Sequence, residues 1–525
     1  MRLISLLVLF LIPVLADAQS CYLVYLKPKV ISNSKLSISR ESMERKRRFQ
    51  IEIDEKDYAI EETRVVKIES ISPVLNSSRW LNAVSVLCTA KDIDRIKDLS
   101  FVDHIELLHS PISIKKTTSQ KLESNYTKEQ YGQTFNQIKL HNGQTLHDAG
   151  YEGQGMKIAV FDAGFDRVDK IASFKHLFLD NRIFPVKNIV ENSSNLYTLD
   201  GHGTAVLGCM ASYFPDSIVS SAPKAFYYLF ITEDPRSETR IEEFNWAVAA
   251  EMADSMGIDI INSSLGYHQF DDPSQNYSRE DMNGKTTIVS KAASIAVSKG
   301  IVVVNSAGNH GNKDWQIVTA PADVADVISV GALDNEASLA DFSSRGYYKL
   351  NQIKPNIVGV GKGTTLYYDL GSYFYGSGTS FSSPLLAGLI ACFWQKNKEL
   401  SPTELRTVLY SLSSNYLSPN YEIGFGIPKF ELPINKRVIE MKDRILSVYP
   451  NPSSGNTILE ISATEAFENA EIEIYFSHKA IMKNKVKLQK GVNHVFLNTD
   501  NYAKGIYFFK VKMGNYILEE RYLKY

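Results

Sequence analysis

Ile158-Ala159-Val160-Phe161-Asp162-Ala163-Gly164 is an apolar run that stops at a carboxylate and a turn glycine. A short continuous apolar run bounded by turn signals reads as a strand buried on both faces. Met156 to Phe161 is the first of a series: Ala225 to Ile231, Ile258 to Asn262, Ile301 to Asn305 and Val327 to Val330 read the same way. Between and after them, Glu242 to Met256, Ile288 to Lys299 and Pro384 to Trp394 carry helical patterns. Strand–helix alternation of this kind implies an α/β fold: a parallel sheet with helices on both faces. Open α/β sheets place their sites at the carboxyl ends of the strands. Asp162 therefore becomes a candidate, although a lone aspartate there is more often a turn or cap residue.

Working outward, the chain divides. Residues 19 to about 118 read as a small α+β unit, with strands at Tyr22 to Leu26, Ala83 to Leu87 and Val102 to Leu108 and a helix at Lys91 to Leu99. Arg45-Lys46-Arg47-Arg48 reads as a solvated helix face or an exposed loop. The polar stretch around Lys115-Lys116-Thr117-Thr118-Ser119-Gln120 reads as a linker. After Ile434 come six short strand-like runs from Ile445 to Leu523, split by Asn-Pro, Ser-Gly, Lys-Gly and Gly-Asn turns, which fits a small β-sandwich. At the other end, Met1-Arg2, the apolar run Leu3 to Leu15 and Ala16-Asp17-Ala18 form a secretory signal peptide. That run falls short of the roughly 20 residues that span a bilayer.

Composition excludes some classes. With 57 Lys plus Arg against 59 Asp plus Glu, the net charge of −2 offers no global basic field for nucleic acid. Four cysteines are too few for a disulfide scaffold. Export permits a bridge between Cys21 and Cys88, while Cys209 and Cys392 fall in helix-like apolar stretches where small buried thiols fit as well.

Three further segments join Asp162. Asp200-Gly201-His202-Gly203-Thr204 sets a histidine between glycines just before an apolar helical run. Gly378-Thr379-Ser380-Phe381-Ser382-Ser383-Pro384 sets a serine at a helix entry, where free N–H groups can face an anion. Asn305-Ser306-Ala307-Gly308-Asn309 sets an amide side chain beyond an apolar strand. Each alone is a cap or turn. Together they supply what acyl transfer to serine needs: a nucleophile, a base, an orienting carboxylate and a donor for the oxyanion.

In that order and spacing the segments resemble the subtilisin-like serine peptidases. The resemblance implies a subtilisin-like α/β fold. Asp162, His202 and Ser380 match the family's Asp, His-Gly-Thr and Gly-Thr-Ser-x-x-x-Pro motifs, and Asn309 its oxyanion-hole asparagine. Ser264-Leu265-Gly266 resembles the strand that pairs with substrate, and Ala307, Gly308 and Thr319 would border the first specificity pocket. Thr319 near the pocket base and His310 on its rim hint at medium-sized or acidic substrate side chains. Ala205, Phe381 and Gly359-Val360-Gly361 depart from common family residues without removing a catalytic atom. No metal site is expected; structural calcium is known in the family, but no loop here has convincing ligand spacing. An inert peptidase scaffold used for adhesion is the alternative, and the intact set of four argues against it.

The 19–118 unit resembles the family's propeptides, which template folding and block the cleft until cut. Val448-Tyr449-Pro450-Asn451-Pro452 and Lys504-Gly505-Ile506-Tyr507-Phe508 resemble a type IX secretion sorting domain of Bacteroidetes. The implied organisation is a signal peptide (1–18), propeptide (19–118), peptidase domain (125–435) and C-terminal β-sandwich sorting domain (440–525). The implied protein is a monomeric secreted or surface endopeptidase acting on extracellular proteins. Its partners would be those substrates, its own propeptide and the secretion machinery.

Overall fold

The computed structural model describes residues 19–109, 131–430 and 444–524, apart from 351, 417, 450–455, 464, 477–478, 490 and 515. The expected signal peptide and linker lie outside the described residues. No described helix is long and apolar enough to cross a membrane.

The amino-terminal unit runs β1 (Ser20–Leu26), α1 (Arg40–Arg48), α2 (Glu62–Glu69), β2 (Val74–Ser78), β3 (Ala83–Cys88), α3 (Ala90–Lys97) and β4 (Val102–His109). Its antiparallel sheet has the order β2-β3-β1-β4. Alternation along β1 sorts the side chains: Val24 and Leu26 pack with Ile68 of α2 and Ile96 of α3, whereas Cys21 and Leu23 face the next domain. This disposes of the Cys21–Cys88 bridge. Cys21 sits opposite Leu87 and Cys88 opposite Ser20, so the two thiols belong to opposite faces of the sheet. All four cysteines are free and buried.

The central domain contains α4 (Phe135–Lys139), α5 (Gly143–Asp148), β5 (Lys157–Asp162), α6 (Lys175–Leu179), β6 (Ile183–Asn188) and α7 (His202–Ala211). A small hairpin of β7 (Tyr213–Phe214) and β8 (Ile218–Val219) follows, then β9 (Phe226–Ile231), α8 (Ile241–Ser255), β10 (Ile260–Ser263), α9 (Ile288–Ser298), β11 (Val302–Ser306), β12 (Ile328–Leu333) and β13 (Ile357–Val360). The hairpin β14 (Thr364–Asp369) and β15 (Ser372–Gly376) leads into α10 (Thr379–Lys396) and α11 (Pro402–Ser411). Seven parallel strands lie in the order β13-β12-β11-β10-β5-β9-β6. The continuous apolar runs follow from burial on both faces. Ile158, Val160, Val302 and Val304 join the core beneath α7 and α10, and Ala159, Phe161, Val303 and Ile301 the core beneath α8 and α9.

From β5 the chain builds first toward β6 and β9 and then crosses to β10 on the other side. The order therefore reverses between β5 and β10, and their carboxyl ends open the crevice where such sheets bind ligands.

The carboxy-terminal unit comprises β16 (Arg444–Tyr449), β17 (Thr457–Ala463), β18 (Phe467–Phe476), β19 (Lys479–Leu488), β20 (Gly491–Leu497), β21 (Gly505–Met513) and β22 (Tyr516–Lys524). Two antiparallel sheets, β16-β17-β20 and β19-β18-β21-β22, enclose Leu459, Ile461, Ile472, Ile474, Phe509 and Val511.

Candidate active site

Asp162 is the last residue of β5 and is fully buried. One oxygen, Oδ1, accepts from the Ala163 N–H at 2.9 Å and faces His202 Nδ1 at 2.8 Å. His202 opens α7. Its backbone N–H donates to Asp200 Oδ1 at 2.6 Å, and Thr204 Oγ1 donates to the Asp166 carbonyl at 2.8 Å, which ties the helix start to the loop after β5. The glycine in between has a steric task. A Cβ at Gly203 would stand 2.3 Å from the Gly164 carbonyl oxygen and 2.9 Å from Asp162 Cβ, so only glycine lets the helix come this close.

Burial disfavours the charged form of His202, but the Asp162 carboxylate, together with Asp200 and Glu233, more than offsets it, and the imidazole pKa lies above the ordinary histidine value. With Nδ1 committed to Asp162, Nε2 is the nitrogen left for proton transfer. The Phe381 ring lies 5.9 Å from the imidazole, centroid to centroid.

Ser380 occupies the first turn of α10, where backbone N–H groups lack intrahelical acceptors. Pro384 lies four residues later inside the same helix and has no N–H to offer the Ser380 carbonyl. Ser264 Oγ donates to that carbonyl instead, at 2.9 Å. Asn262 supports this contact from both sides: its Nδ2 donates to Ser264 Oγ at 3.3 Å and its Oδ1 accepts from Ser383 Oγ at 3.0 Å. Ser380 Oγ itself donates to the Ser264 carbonyl at 3.4 Å. Among the described residues it has no hydrogen bond to His202, a looseness common before substrate binds.

Asn309 follows the end of β11. Its Oδ1 accepts from the Thr379 N–H at 2.8 Å and from Thr379 Oγ1 at 3.0 Å. A backbone N–H can only donate, so the amide orientation is fixed and Nδ2 is turned away from Thr379. Thr379 Oγ1 also accepts from the Gly308 N–H at 3.1 Å. Beside it, Asn305 Nδ2 donates to the Leu265 carbonyl at 2.9 Å and steadies the Ser264–Gly266 segment. Thr319 N–H donates to the Ala307 carbonyl at 3.3 Å, which brings Ala307, Gly308 and Thr319 together on the far side of that segment.

All ten residues singled out from the sequence thus lie at one end of the sheet. Four supporting residues were not: Asn262, Asn305, Thr379 and Asp200. A shared signal existed for two of them, since Asn262 and Asn305 are polar residues at the ends of otherwise apolar strands. Glu233 also went unnoticed. It lies just past β9, accepts from Tyr267 Oη at 2.5 Å and Thr232 Oγ1 at 2.9 Å, and burial lifts its pKa to about 8.

Among the described residues no group of three or more His, Cys, Asp or Glu side chains is arranged to hold a metal.

Comparison with known proteins decides the lineage. Residues 153–426, more than half of the 525, match the subtilase family. The chain belongs to that family. It is a subtilisin-like serine endopeptidase, a class whose chemistry needs no cofactor. Residues 21–125 match the peptidase S8 propeptide domain of Bacteroidota, and 447–524 the secretion system C-terminal sorting domain. The sorting domain marks the protein for type IX secretion and hence for the cell exterior or surface. Serine protease AprX of Bacillus subtilis is 31% identical over 374 residues, covering 66% of this chain and 77% of its own. Subtilisin E of the same organism is 30% identical over 318 residues, covering 58% and 73%. Subtilisin-like protease SBT6.1 of Arabidopsis thaliana is 26% identical over 346 residues, covering 62% of this chain and 30% of that one.

Proposed function

We propose that this subtilase cuts extracellular proteins through an acyl-enzyme on Ser380, with His202 as base, Asp162 as its orienting partner and Asn309 as oxyanion donor. The observation that carries the reading is the 2.8 Å contact between His202 Nδ1 and buried Asp162, with Phe381, the neighbour of Ser380 in the first turn of α10, 5.9 Å from the imidazole. His202 Nε2 takes the Ser380 proton as Oγ attacks the scissile carbonyl. The oxyanion is received by Asn309 Nδ2 and the Ser380 N–H, while Asp162 stabilises the imidazolium. The imidazolium then protonates the leaving amine, and water reverses the sequence to free the acid. A substrate strand pairs with Ser264-Leu265-Gly266 by β-augmentation, and its side chain at the scissile residue meets Ala307, Gly308 and Thr319.

The organisation follows the same reading: signal peptide 1–18, propeptide 19–118 acting as intramolecular inhibitor, peptidase 125–435 and sorting domain 440–525, working as a monomer. The contacts of the amino-terminal unit with α8 and α9 support the inhibitor role, since they hold it on the catalytic domain. The test compares wild type with Ser380→Ala during secretion. Wild type should shed the amino-terminal hundred or so residues and react with a serine-directed phosphonate, and the variant should do neither. Identical maturation of both, with no labelling of either, would favour an inert scaffold.

A further inference from the structure

Thr319 lies between Gly266, in the segment proposed to pair with substrate, and Gly308, the neighbour of Asn309. Thr319 N–H reaches the Ala307 carbonyl at 3.3 Å, and the next residue, Ala320, exchanges both backbone hydrogen bonds with Tyr267 at 3.2 and 2.9 Å. Two glycines facing one another would leave a deep slot, but the Thr319 side chain fills it. A Cβ at Gly266 would stand 2.1 Å from Thr319 Oγ1, and one at Gly308 3.2 Å from the same atom. Thr319 is 0% exposed, and its hydroxyl has no hydrogen-bond partner among the described residues. A buried hydroxyl left unpaired is costly unless something that enters the site supplies its partner.

We infer that Thr319 sets the side-chain selectivity of this peptidase, restricting the residue before the scissile bond to glycine, alanine and, preferentially, serine. The inference rests on the catalytic reading of Ser380, His202, Asp162 and Asn309 given above. A leucine or phenylalanine side chain would have to displace Thr319 from its contact with both glycines, in an interior packed too tightly to yield that volume. Serine is small enough to stay above Thr319 and brings a hydroxyl for Oγ1. The two rim histidines offer no charge of their own for an acidic side chain, and Lys313, whose charge acts on both, is the nearby cation. His310 and His268 meet edge to face at 4.5 Å, His268 lies 4.3 Å from the Trp315 ring, and burial lowers both imidazole pKa values to about 4, leaving them neutral. The space taken by Thr319 thus favours a small residue over the medium-sized or acidic one that Thr319 and His310 suggest in the sequence. The chain's own linker carries Ser113, Ser119 and Ser124 alongside Leu122 and Tyr126; self-processing there should follow a serine and avoid the leucine and tyrosine.

The test uses the full self-processed chain as wild type, Thr319→Gly and Thr319→Val, with peptides that differ only in Ser, Ala, Leu or Phe before the scissile bond. Active sites are counted with a serine-directed phosphonate. Wild type should cleave the Ser and Ala peptides at least about tenfold faster in kcat/KM than the Leu and Phe peptides. Thr319→Gly should gain about tenfold on Leu and Phe, and Thr319→Val should keep the size limit but lose the advantage of Ser over Ala. Should Thr319→Gly fail to fold, Thr319→Ala gives the same comparison. Wild type cutting Phe as fast as Ala, or a ranking unchanged by the Gly or Ala variant, overturns the inference while phosphonate labelling upholds the catalytic reading. Absence of both labelling and cleavage rejects that reading, and the inference falls with it.

Discussion

At the scale of single residues, the site is a matter of how charges are held. His202 is pulled in opposite directions: burial favours the neutral ring, and Asp162, with Asp200 and Glu233 farther off, favours the imidazolium and prevails. A base must be neutral to accept the Ser380 proton, so kcat/KM should rise with pH, with a midpoint above the roughly 6.5 of an unperturbed histidine. A pH–rate profile that is flat from about pH 6 to 8 would contradict the assignment. Asp162→Asn should move the midpoint down and lower kcat by roughly 10⁴, the effect that the equivalent change has in the trypsin triad. Glu233 shows the opposite balance, since burial leads and its pKa rises to about 8. For an acid with a raised folded-state pKa, the folded state holds the proton more tightly, so stability is fully present below the unfolded value of about 4.3 and drains away as pH rises through 8. Glu233→Gln keeps an acceptor for Tyr267 and Thr232 and removes that titration. Its melting temperature, measured against wild type from pH 5 to 9, should gain on wild type up to about pH 8 and level off beyond it.

At the scale of elements, the close approach of α7 to the end of β5 joins base to carboxylate. A Cβ at position 203 would collide with the Gly164 carbonyl oxygen and Asp162 Cβ, both of which belong to the β5 end and cannot swing aside. Gly203→Ala should therefore push α7 away, cost about 1–3 kcal/mol of stability and reduce kcat more than KM. Thermal melts and steady-state kinetics on the same preparation separate the two effects. The inner strands were legible in the sequence because burial on both faces leaves nothing but apolar residues between turn signals. β6 and β13 were not, and both are edges of the sheet. β6 carries Pro185 and Lys187, which an edge tolerates, and β13 is four residues with Gly359 inside. In the carboxy-terminal sandwich β19 escaped for the same reason, its lysines at 479, 483, 485 and 487 lying along an outer strand. The four principal candidates stand out in the sequence because each sits at a strand end or helix start, where glycine and polar residues interrupt an apolar pattern. Thr379 and Asn262 carry a similar mark, at a helix start and in a strand end, but their importance comes from the partners they meet across the fold.

At the scale of the whole molecule, the basic run in α1 shows how far a local reading can mislead. Arg45 and Lys46 are buried rather than solvated, because the groups that receive them lie elsewhere in the fold. The Arg45 guanidinium donates to the Ile258 carbonyl at 2.8 Å and the Lys299 carbonyl at 3.0 Å and pairs with the Asp254 carboxylate. Lys299 Nζ reaches back to Asp54 at 2.7 Å and Asp57 at 3.1 Å, and Lys46 meets the other oxygen of Asp57 at 3.0 Å. Nearby, Glu251 of α8 accepts from the Arg79 and Trp80 N–H groups at 3.0 and 3.1 Å and from Ser78 Oγ. Buried ion pairs add little net stability, because water returns the desolvation energy when the partners separate. They do penalise any misfit, which suits the proposed role of a segment that docks in one register and later leaves. Removing one charge is another matter, since Asp254 without Arg45 keeps its burial but loses a partner. Because Asp254 keeps Arg79 and Ser42, Arg45→Met should weaken docking by about 1–3 kcal/mol, lowering the yield of mature enzyme and reducing co-elution of the clipped amino-terminal unit with the rest of the chain on gel filtration. Arg79 also pairs with Asp254, at 3.1 Å, so adding Asp254→Leu to that variant should restore co-elution only in part. Strict additivity of the two substitutions would mean that the pair does not govern docking, and the hydrophobic contact of Cys21, Leu23 and Leu108 with Phe244 and Ile288 would then have to account for it.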